Sequence, residues 1–293
     1  MKGIILAGGF GTRLQPLTKV ITKQLLPVYD KPMIYYPLAT LMLAGIKEIL
    51  LICKQEDHNL FERLFSDGSH LGLQITYKVQ KEPKGIAEAF IIGEEFIGKD
   101  DVCLILGDNI FYGDDMPRLL RDGIKIVEEQ DKAVIFGYHV NNPKEYGVVE
   151  YERGGNVVGI EEKPQNPKSN CAAVGLYMYD SSVVDIAKQV KPSPRGELEI
   201  TSINNVFLEK KKLKLKLMGR GYAWLDAGSA DSLLDASQFI QTIESRQGLK
   251  IACIEEIAYR KRFITKDQLV DICEKMQNNS YGDYLRRLVG KKP

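Results

Sequence analysis

The chain has 293 residues and a formal net charge of +1; 44% of its residues are hydrophobic and 27% are charged. The length suggests about one or two domains, and the composition is that of an ordinary globular protein. A net charge this close to zero creates no broad field that would attract nucleic acid or an anionic membrane. Basic residues at a site must therefore act locally, on a small anion.

The distribution of apolar residues and cysteines favours a cytoplasmic protein. No apolar run reaches the roughly 18 residues of a membrane span, and the N-terminus lacks the pattern of a signal peptide. The three histidines lie far apart, which disfavours a histidine metal site or a Ser–His dyad. No C-x-x-C pair occurs among the cysteines, so we expect buried thiols in a reducing compartment. These are Cys53, Cys103, Cys171, Cys253 and Cys273.

The first half of the chain alternates apolar strands with helical patterns. The predicted strands are 2–7, 46–53, 74–80, 102–107 and 133–139, and the predicted helices are about 32–44, 57–65, 85–97 and 115–129. Near-continuous apolar strands separated by helices predict a mostly parallel sheet that is covered on both faces. In such sheets, ligands bind beyond the carboxyl ends of the strands.

The second half has a mixed pattern. Two strands, 146–151 and 157–162, flank a glycine-rich turn and predict a β-hairpin. Further strands are predicted at 172–179 and 213–217, with helices from 181, at 197–212, 229–245, 265–276 and 280–288. We expect an α/β, Rossmann-like three-layer sandwich forming one domain over 1–293, with a core over 1–228 and a C-terminal helical region over 229–293.

A glycine-rich loop follows the first strand, in the segment Ala7-Gly8-Gly9-Phe10-Gly11-Thr12-Arg13-Leu14. Glycines allow backbone N–H groups to approach a ligand closely, and a nest of such groups binds anions. Arg13 adds a planar cation that suits phosphate, and Lys23 supplies a second cation ten residues later. The combination points to a nucleoside triphosphate.

Other interpretations of this loop are weaker. The dinucleotide fingerprint needs a third glycine where Leu14 stands, and Asp30 falls after Pro27, where a ribose-binding acid is not expected. The P-loop pattern is absent. A plain glycine-rich turn remains as the structural alternative.

Two carboxylates are candidate ligands of a divalent ion. Asp108 follows the apolar strand 102–107 and Asp226 follows Trp224-Leu225. Each could equally be a turn or helix-capping residue. If the two meet at one cleft, they suit Mg²⁺, which takes one or two carboxylates together with substrate phosphates.

A further group of polar residues follows the hairpin. Glu162 could accept hydrogen bonds from sugar hydroxyls, and Lys163 and Arg195 could contact a phosphate. A surface charge cluster is the alternative for all three.

These motifs together resemble those of the sugar-phosphate nucleotidyltransferases, and most specifically their glucose-1-phosphate thymidylyltransferase branch. The resemblance covers essentially the whole chain. The segments that match are Leu6–Leu14, Thr22–Val28, Leu106–Asn109, Tyr146–Val149, Glu161–Pro164, Pro192–Thr201 and Gly221–Asp226.

The resemblance implies transfer of a thymidylyl group from dTTP to α-D-glucose 1-phosphate with Mg²⁺, the first step towards dTDP-sugars such as dTDP-rhamnose. The implied nucleotide-binding residues are Gly8, Gly11, Thr12, Arg13, Lys23, Gln24, Gln80, Gly85 and Asp108. The implied sugar-phosphate-binding residues, on and around the hairpin, are Asn109, Tyr146, Gly147, Glu162, Lys163, Val174, Tyr177 and Arg195. The implied catalytic residues are Arg13, Lys23, Asp108, Lys163 and Asp226, of which Asp108 and Asp226 would hold the metal.

The resemblance also implies a homotetramer with a second, inhibitory site for a nucleotide sugar. That site would use Tyr112, Gly113, Arg220, Glu256 and Arg260, although these residues could equally form surface salt bridges. The family's usual Gly-Leu-Ala-Gln-Ala is Gly85-Ile86-Ala87-Glu88-Ala89 in this chain, which adds a charge near the base pocket. A uridylyltransferase and a non-catalytic nucleotide-sugar sensor remain as alternatives.

Overall fold

The computed structural model describes residues 1–276 and 278–290. Its strands are β1 Lys2–Ala7, β2 Pro27–Val28, β3 Lys31–Pro32, β4 Glu48–Cys53, β5 Gln74–Val79, β6 Val102–Leu106, β7 Asn109–Gly113, β8 Ala133–His139, β9 Gly147–Glu152, β10 Asn156–Glu162, β11 Cys171–Tyr179, β12 Leu213–Met218 and β13 Tyr222–Asp226. Its α-helices are α1 Tyr35–Ala44, α2 His58–Phe65, α3 Glu88–Ile92, α4 Glu94–Ile97, α5 Met116–Gln130, α6 Val183–Gln189, α7 Ile200–Glu209, α8 Ala230–Gln247, α9 Ile254–Arg260, α10 Lys266–Lys275 and α11 Ser280–Leu288.

Nine strands form the central sheet in the order β5-β4-β1-β6-β11-β8-β12-β10-β9. The pairings among β5, β4, β1 and β6 are parallel, as is that of β12 with β8. Strands β10 and β11 are antiparallel to their neighbours, so seven of the nine strands run in one direction. The predicted mostly parallel sheet is therefore confirmed.

Helices cover both faces of the sheet, because alternate apolar residues of its strands point to opposite sides. In β1, Ile5 belongs to a core shared with α1, α2 and α5. Its neighbour Ile4 belongs to a second core shared with α3, α6 and α7. The fold is thus the expected three-layer α/β sandwich.

The predicted hairpin is present. Strand β9 pairs antiparallel with β10, and Gly147 lies opposite Glu162 at the open end. The connecting turn contains Gly154 and Gly155, both in the left-handed region at φ +85° and +76°. Glycine is favoured at such positions because it lacks a Cβ. The hairpin places Tyr146 and Glu162 at the same edge of the sheet.

A separate two-stranded sheet was not predicted. Strand β13 pairs antiparallel with β7, with Asp226 opposite Asn109 and Tyr222 opposite Gly113. The sequence analysis predicted no strand at 109–113, since five residues ending in glycine are too few to give a clear pattern. This pair joins the segment after β6 to the segment after β12.

The helices differ from the prediction in two places. The helix predicted over 85–97 begins only at Glu88, since Gly85 has a φ of +121°, and Gly93 divides it into α3 and α4. Helix α9 was not predicted. Its buried positions include Glu255 and Glu256, so it lacks the usual division into an apolar and a polar face.

The C-terminal helices pack on the core rather than standing apart from it. Residues Ala236 and Ile240 of α8 share a cluster with Val28 and Ile110, and α9 contributes Ile254 and Ala258 to the core of α1. Within the described residues, none of the helices is long and apolar enough to cross a membrane.

A buried charge cluster ties the β2–β3 turn to helix α8. The ammonium group of Lys31 pairs with Asp30 and lies 3.0 Å from Glu244 Oε1. Lys250 also pairs with Asp30 and lies 2.9 Å from Glu244 Oε2. Removing one member of such a cluster leaves an opposite charge buried without full compensation.

We therefore expect Lys31→Met to lower the free energy of unfolding by about 3 kcal/mol. Urea unfolding followed by circular dichroism measures the change. Lys212→Met is the matched control, because its exposed pair with Asp131 should contribute little. Equal effects of the two substitutions would contradict the assigned role of the buried cluster.

Candidate active site

A cavity of about 720 Å³ opens at the carboxyl ends of the central strands. It brings together residues that are distant in sequence, from the glycine loop, the end of β6, the hairpin, the loop before α7 and the end of β13. The predicted site residues that line it are Thr12, Arg13, Asp108, Asn109, Tyr146, Gly147, Glu162, Lys163, Tyr177, Arg195 and Asp226.

Asp108 and Asp226 meet at this cavity because β7 pairs with β13. Asp226 lies opposite Asn109 in that pairing, and the N–H of Ala227 donates to the backbone oxygen of Asp108 at 3.2 Å. The two carboxylates have opposite electrostatic surroundings. Burial and the nearby charge of Asp108 raise the pKa of Asp226. Burial also opposes ionisation of Asp108, but the ion pair with Lys23 holds its pKa below the usual value.

Two cations lie beside the carboxylates. Lys23 is buried in a short 3-10 turn and pairs directly with Asp108. Arg13 lies two residues after Gly11, whose backbone is left-handed with a φ of +61°. The guanidinium of Arg13 packs against Gly228, where a Cβ would come 2.6 Å from Nη2. The predicted juxtaposition of the glycine loop with both aspartates is thus present in the structure.

Asn109 is held by two donors. Its Oδ1 accepts from the indole N–H of Trp224 at 2.7 Å and from the backbone N–H of Gly175 at 3.1 Å. Its Nδ2 donates to Asp108 Oδ1 at 2.9 Å. Trp224, which sequence reasoning left without a role, therefore orients Asn109, and Asn109 in turn positions Asp108.

The opposite wall holds the residues assigned to the sugar phosphate. Glu162 accepts a hydrogen bond from Thr201 Oγ1 at 2.5 Å, and Gly147 leaves room for that contact. Lys163 follows with a left-handed backbone, φ +44°, a conformation that is uncommon for residues other than glycine.

Arg195 reaches this wall from the loop before α7. Its guanidinium lies 3.7 Å from Glu162, 3.1 Å from Glu197 and 3.5 Å from Glu199. Sequence reasoning found neither Thr201 nor Glu199 as part of the site. Their position at the N-terminus of α7, a few residues after Arg195, was the available signal.

The remaining predicted nucleotide residues do not line the cavity; these are Gly8, Gly11, Lys23, Gln24, Gln80 and Gly85. Gln80 is buried beside Gly8, where a Cβ would come 2.1 Å from its Oε1. Gly85 packs against the backbone of Leu198, and Gln24 lies under Gly107.

Val174 requires a correction. Its side chain is fully buried in the core, because Ala173 and Gly175 on either side of it face the cavity and alternate residues of a strand point to opposite faces. Val174 was expected to contact the sugar, but its side chain packs away from that cavity.

The donor set suits a hard divalent ion. Among the residues that the structure describes, no group of three or more His, Cys, Asp or Glu side chains could enclose a metal. Two carboxylates facing an open cavity match Mg²⁺, which completes its shell with waters and substrate phosphates. Zinc sites in proteins are usually built with His or Cys ligands, and neither residue type is among those that line this cavity.

A second cavity of about 460 Å³ lies at the other end of β7. Tyr112, Gly113, Glu256 and Arg260 line it, together with Lys250 and several apolar residues. Glu256 accepts from Tyr284 at 2.5 Å and from Arg260 at 2.6 Å. Arg220, predicted to join this group, does not line the cavity.

The chain belongs to the nucleotidyl transferase family, whose profile matches residues 2–243. Within that family it belongs with the glucose-1-phosphate thymidylyltransferases. It is 54% identical to the enzyme of that name from Neisseria meningitidis over 99% of this chain and 100% of that protein.

Solved structures of nucleotidyltransferases have the same fold. A Bacillus anthracis protein, described as a candidate glucose-1-phosphate thymidylyltransferase in complex with sucrose, is 40% identical with a TM-score of 0.74; the match covers 82% of this chain and 94% of that one. A UDP-glucose pyrophosphorylase in complex with UDP-glucose is 25% identical with a TM-score of 0.73, covering 83% and 98%.

The unequal surroundings of the two aspartates predict opposite effects on stability. The pKa of Asp226 is raised in the fold, so its ionised form costs stability at neutral pH, and Asp226→Asn should stabilise the unliganded protein by about 1 kcal/mol. Asp108→Asn should destabilise it by about 1–3 kcal/mol, because it removes a charge-assisted partner of buried Lys23. Thermal unfolding at pH 7 without ligand measures both. Shifts of the same sign would contradict the electrostatic assignment.

Proposed function

We propose that the chain transfers a thymidylyl group from dTTP to α-D-glucose 1-phosphate and releases pyrophosphate. The observation that supports this most is the meeting of Asp108 and Asp226 with Arg13 at one cavity, where buried Lys23 pairs with Asp108. The Neisseria relative has this activity in its name.

The triphosphate would lie along the glycine loop. Gly8, Gly11 and Thr12 offer backbone groups to it, and Arg13 and Lys23 would neutralise its charge. Asp108 and Asp226 would hold Mg²⁺, which neutralises phosphate charge and polarises the α-phosphate when bound. Gln24 would support this wall, and Gln80 and Gly85 would contact the thymine edge.

The sugar phosphate would occupy the opposite wall. Asn109, Gly147, Glu162 and Tyr177 would surround the glucose, and Lys163 and Arg195 would bind its phosphate. Tyr146 packs edge-on against Trp224, with ring centroids 5.1 Å apart, and so closes this side. Holding two polyanions within reach of each other is the main contribution of the site, since positioning alone can be worth roughly 7–11 kcal/mol.

The reaction would be a direct in-line displacement. A phosphate oxygen of glucose 1-phosphate forms a bond to the α-phosphorus of dTTP while the bond between the α-phosphorus and the bridging oxygen to the β-phosphate breaks. The attacking phosphate is already ionised at pH 7 and needs no general base. No histidine is found among the residues that line the cavity.

The alternatives have less support. A sensor would not need both carboxylates together with two phosphate-directed cations. A uridylyltransferase shares the fold, but the 54% identical relative is a thymidylyltransferase by name, whereas the UDP-glucose pyrophosphorylase is only 25% identical. A dinucleotide-dependent oxidoreductase remains disfavoured by Leu14.

The test is pyrophosphate release from dTTP and glucose 1-phosphate with Mg²⁺, compared with release from UTP and glucose 1-phosphate.

We expect Asp226→Asn to lower kcat about hundredfold or more with a smaller change in the Kd of dTTP, because the ion that Asp226 would hold serves mainly the transition state. The same variant should be more stable than the wild type, so that loss of folding cannot explain the loss of turnover. Wild-type-like turnover would remove the metal assignment.

We also propose a cytoplasmic homotetramer in which 1–228 performs the reaction and 229–293 contributes to regulation. All five cysteines are buried, as expected of thiols in a reducing compartment. A dTDP-sugar would bind the second cavity as an inhibitor. In support, β7 begins at the first cavity and ends at the second, so one strand contacts both.

We expect Arg260→Ala to raise the concentration of dTDP-glucose needed for half-inhibition by about tenfold, because a diphosphate would lose a cation partner. Initial rates at fixed dTTP measure the effect. Arg262→Ala is the control, since this neighbouring arginine does not line the cavity. Unchanged inhibition in Arg260→Ala would argue against the second site.

A further inference from the structure

Glu88 holds the side chain of Gln80, which is the residue proposed to contact the base. Gln80 is 3% exposed and follows β5 at the carboxyl edge of the sheet, where its N–H donates to Cys53 O at 2.8 Å. Its Nε2 donates to Glu88 Oε2 at 2.7 Å. Glu88 is the first residue of α3.

This contact fixes which way the amide of Gln80 points. An ionised carboxylate can only accept hydrogen bonds, so the amide nitrogen must face Glu88. The amide oxygen then faces the glycine loop, beside Gly8. A carboxylate at position 88 excludes the flipped amide, which would place two acceptors against each other.

The position of Glu88 is itself fixed. The same Oε2 accepts from the backbone N–H of Lys84 at 3.2 Å, and the carbonyl of Lys84 accepts from Leu198 N at 2.6 Å. The Gln80–Glu88 pair is thereby attached to the loop that precedes α7. Because Glu88 already fixes the side chain of Gln80, that side chain loses little conformational entropy when a ligand binds.

An amide oxygen of fixed direction discriminates among pyrimidines. Thymine and uracil both carry a hydrogen on N3 and can donate to this oxygen, whereas N3 of cytosine is an acceptor. A site that presents an acceptor to an acceptor leaves both groups unpaired, which is strongly unfavourable when water is excluded.

We propose that Glu88 is a positioning residue for base selection: it holds the Gln80 oxygen towards the base and so favours thymine and uracil over cytosine. The inference rests on the proposed function, in which Gln80 faces the nucleotide base. The additional charge at position 88 thus enforces the choice of an N3–H base and does not separate thymine from uracil.

The test compares the dissociation constants of dTTP and dCTP by calorimetry, and their kcat/KM values with glucose 1-phosphate. Glu88→Met keeps the length of the side chain but removes the acceptor. We expect Glu88→Met to lower the preference for dTTP over dCTP by about tenfold or more, mainly by weakening the binding of dTTP. Glu88→Gln presents a donor as well as an acceptor and so no longer excludes the flipped amide; its preference should lie between those of Glu88→Met and the wild type.

Glu82→Met is the matched control, because Glu82 is exposed in the same loop and makes no contact with Gln80. It should leave the preference unchanged. If Glu88→Met weakens the binding of dTTP and dCTP equally, the role of Glu88 is merely structural and the proposal is overturned. A preference for dTTP within twofold of the wild type would overturn it as well. Thymidylyl transfer could fail while the binding preference still depended on Glu88, so the two proposals fail separately.

Discussion

The pairing of β13 with β7 is the constraint on which the candidate site depends. It places Asp226, from the far end of the core, opposite Asn109 and therefore beside Asp108. Without this short sheet, the glycine loop would face one carboxylate only, and a divalent ion would have half of its protein ligands. The pair is secured by buried contacts rather than by its length: Ile110 packs with α8 in its own small cluster, and the indole of Trp224 donates to Asn109.

The charges at the site lower the stability of the unliganded protein, and favourable interactions elsewhere in the molecule offset this loss. Two carboxylates sit close together in a partly buried place, and only Asp108 has a direct cationic partner in Lys23. Asp226 is left with a raised pKa, an arrangement that a fold selected for stability alone would avoid. Such residues mark functional sites, because the unfavourable term disappears when a cation arrives.

The sequence predicted the sheet well because β1, β4, β6, β8 and β11 are apolar on both faces, a signal that survives without tertiary information. It also predicted which loops converge, since parallel strands bring their carboxyl ends together. It could not show β7, whose five residues give too little pattern, or α9, whose carboxylates are buried against Tyr281 and Tyr284. The roles of Trp224, Thr201 and Glu199 also required the structure. Trp224 and Thr201 act through Asn109 and Glu162, which are distant in sequence, and motif spacing does not encode such contacts. Glu199 pairs with Arg195 nearby in the chain, but the sequence does not show which way the two side chains point.

The surroundings of Arg195 bear on how the site could distinguish a sugar phosphate from other anions. Its guanidinium faces three carboxylates, and Glu162 among them is fixed by Thr201. A simple anion gains little there, because it must compete with charges already in place. A ligand that offers hydroxyl donors to Glu162 as well as a phosphate to Arg195 satisfies both groups at once. Specificity then comes from the penalty imposed on incomplete ligands as much as from the contacts made by the complete one.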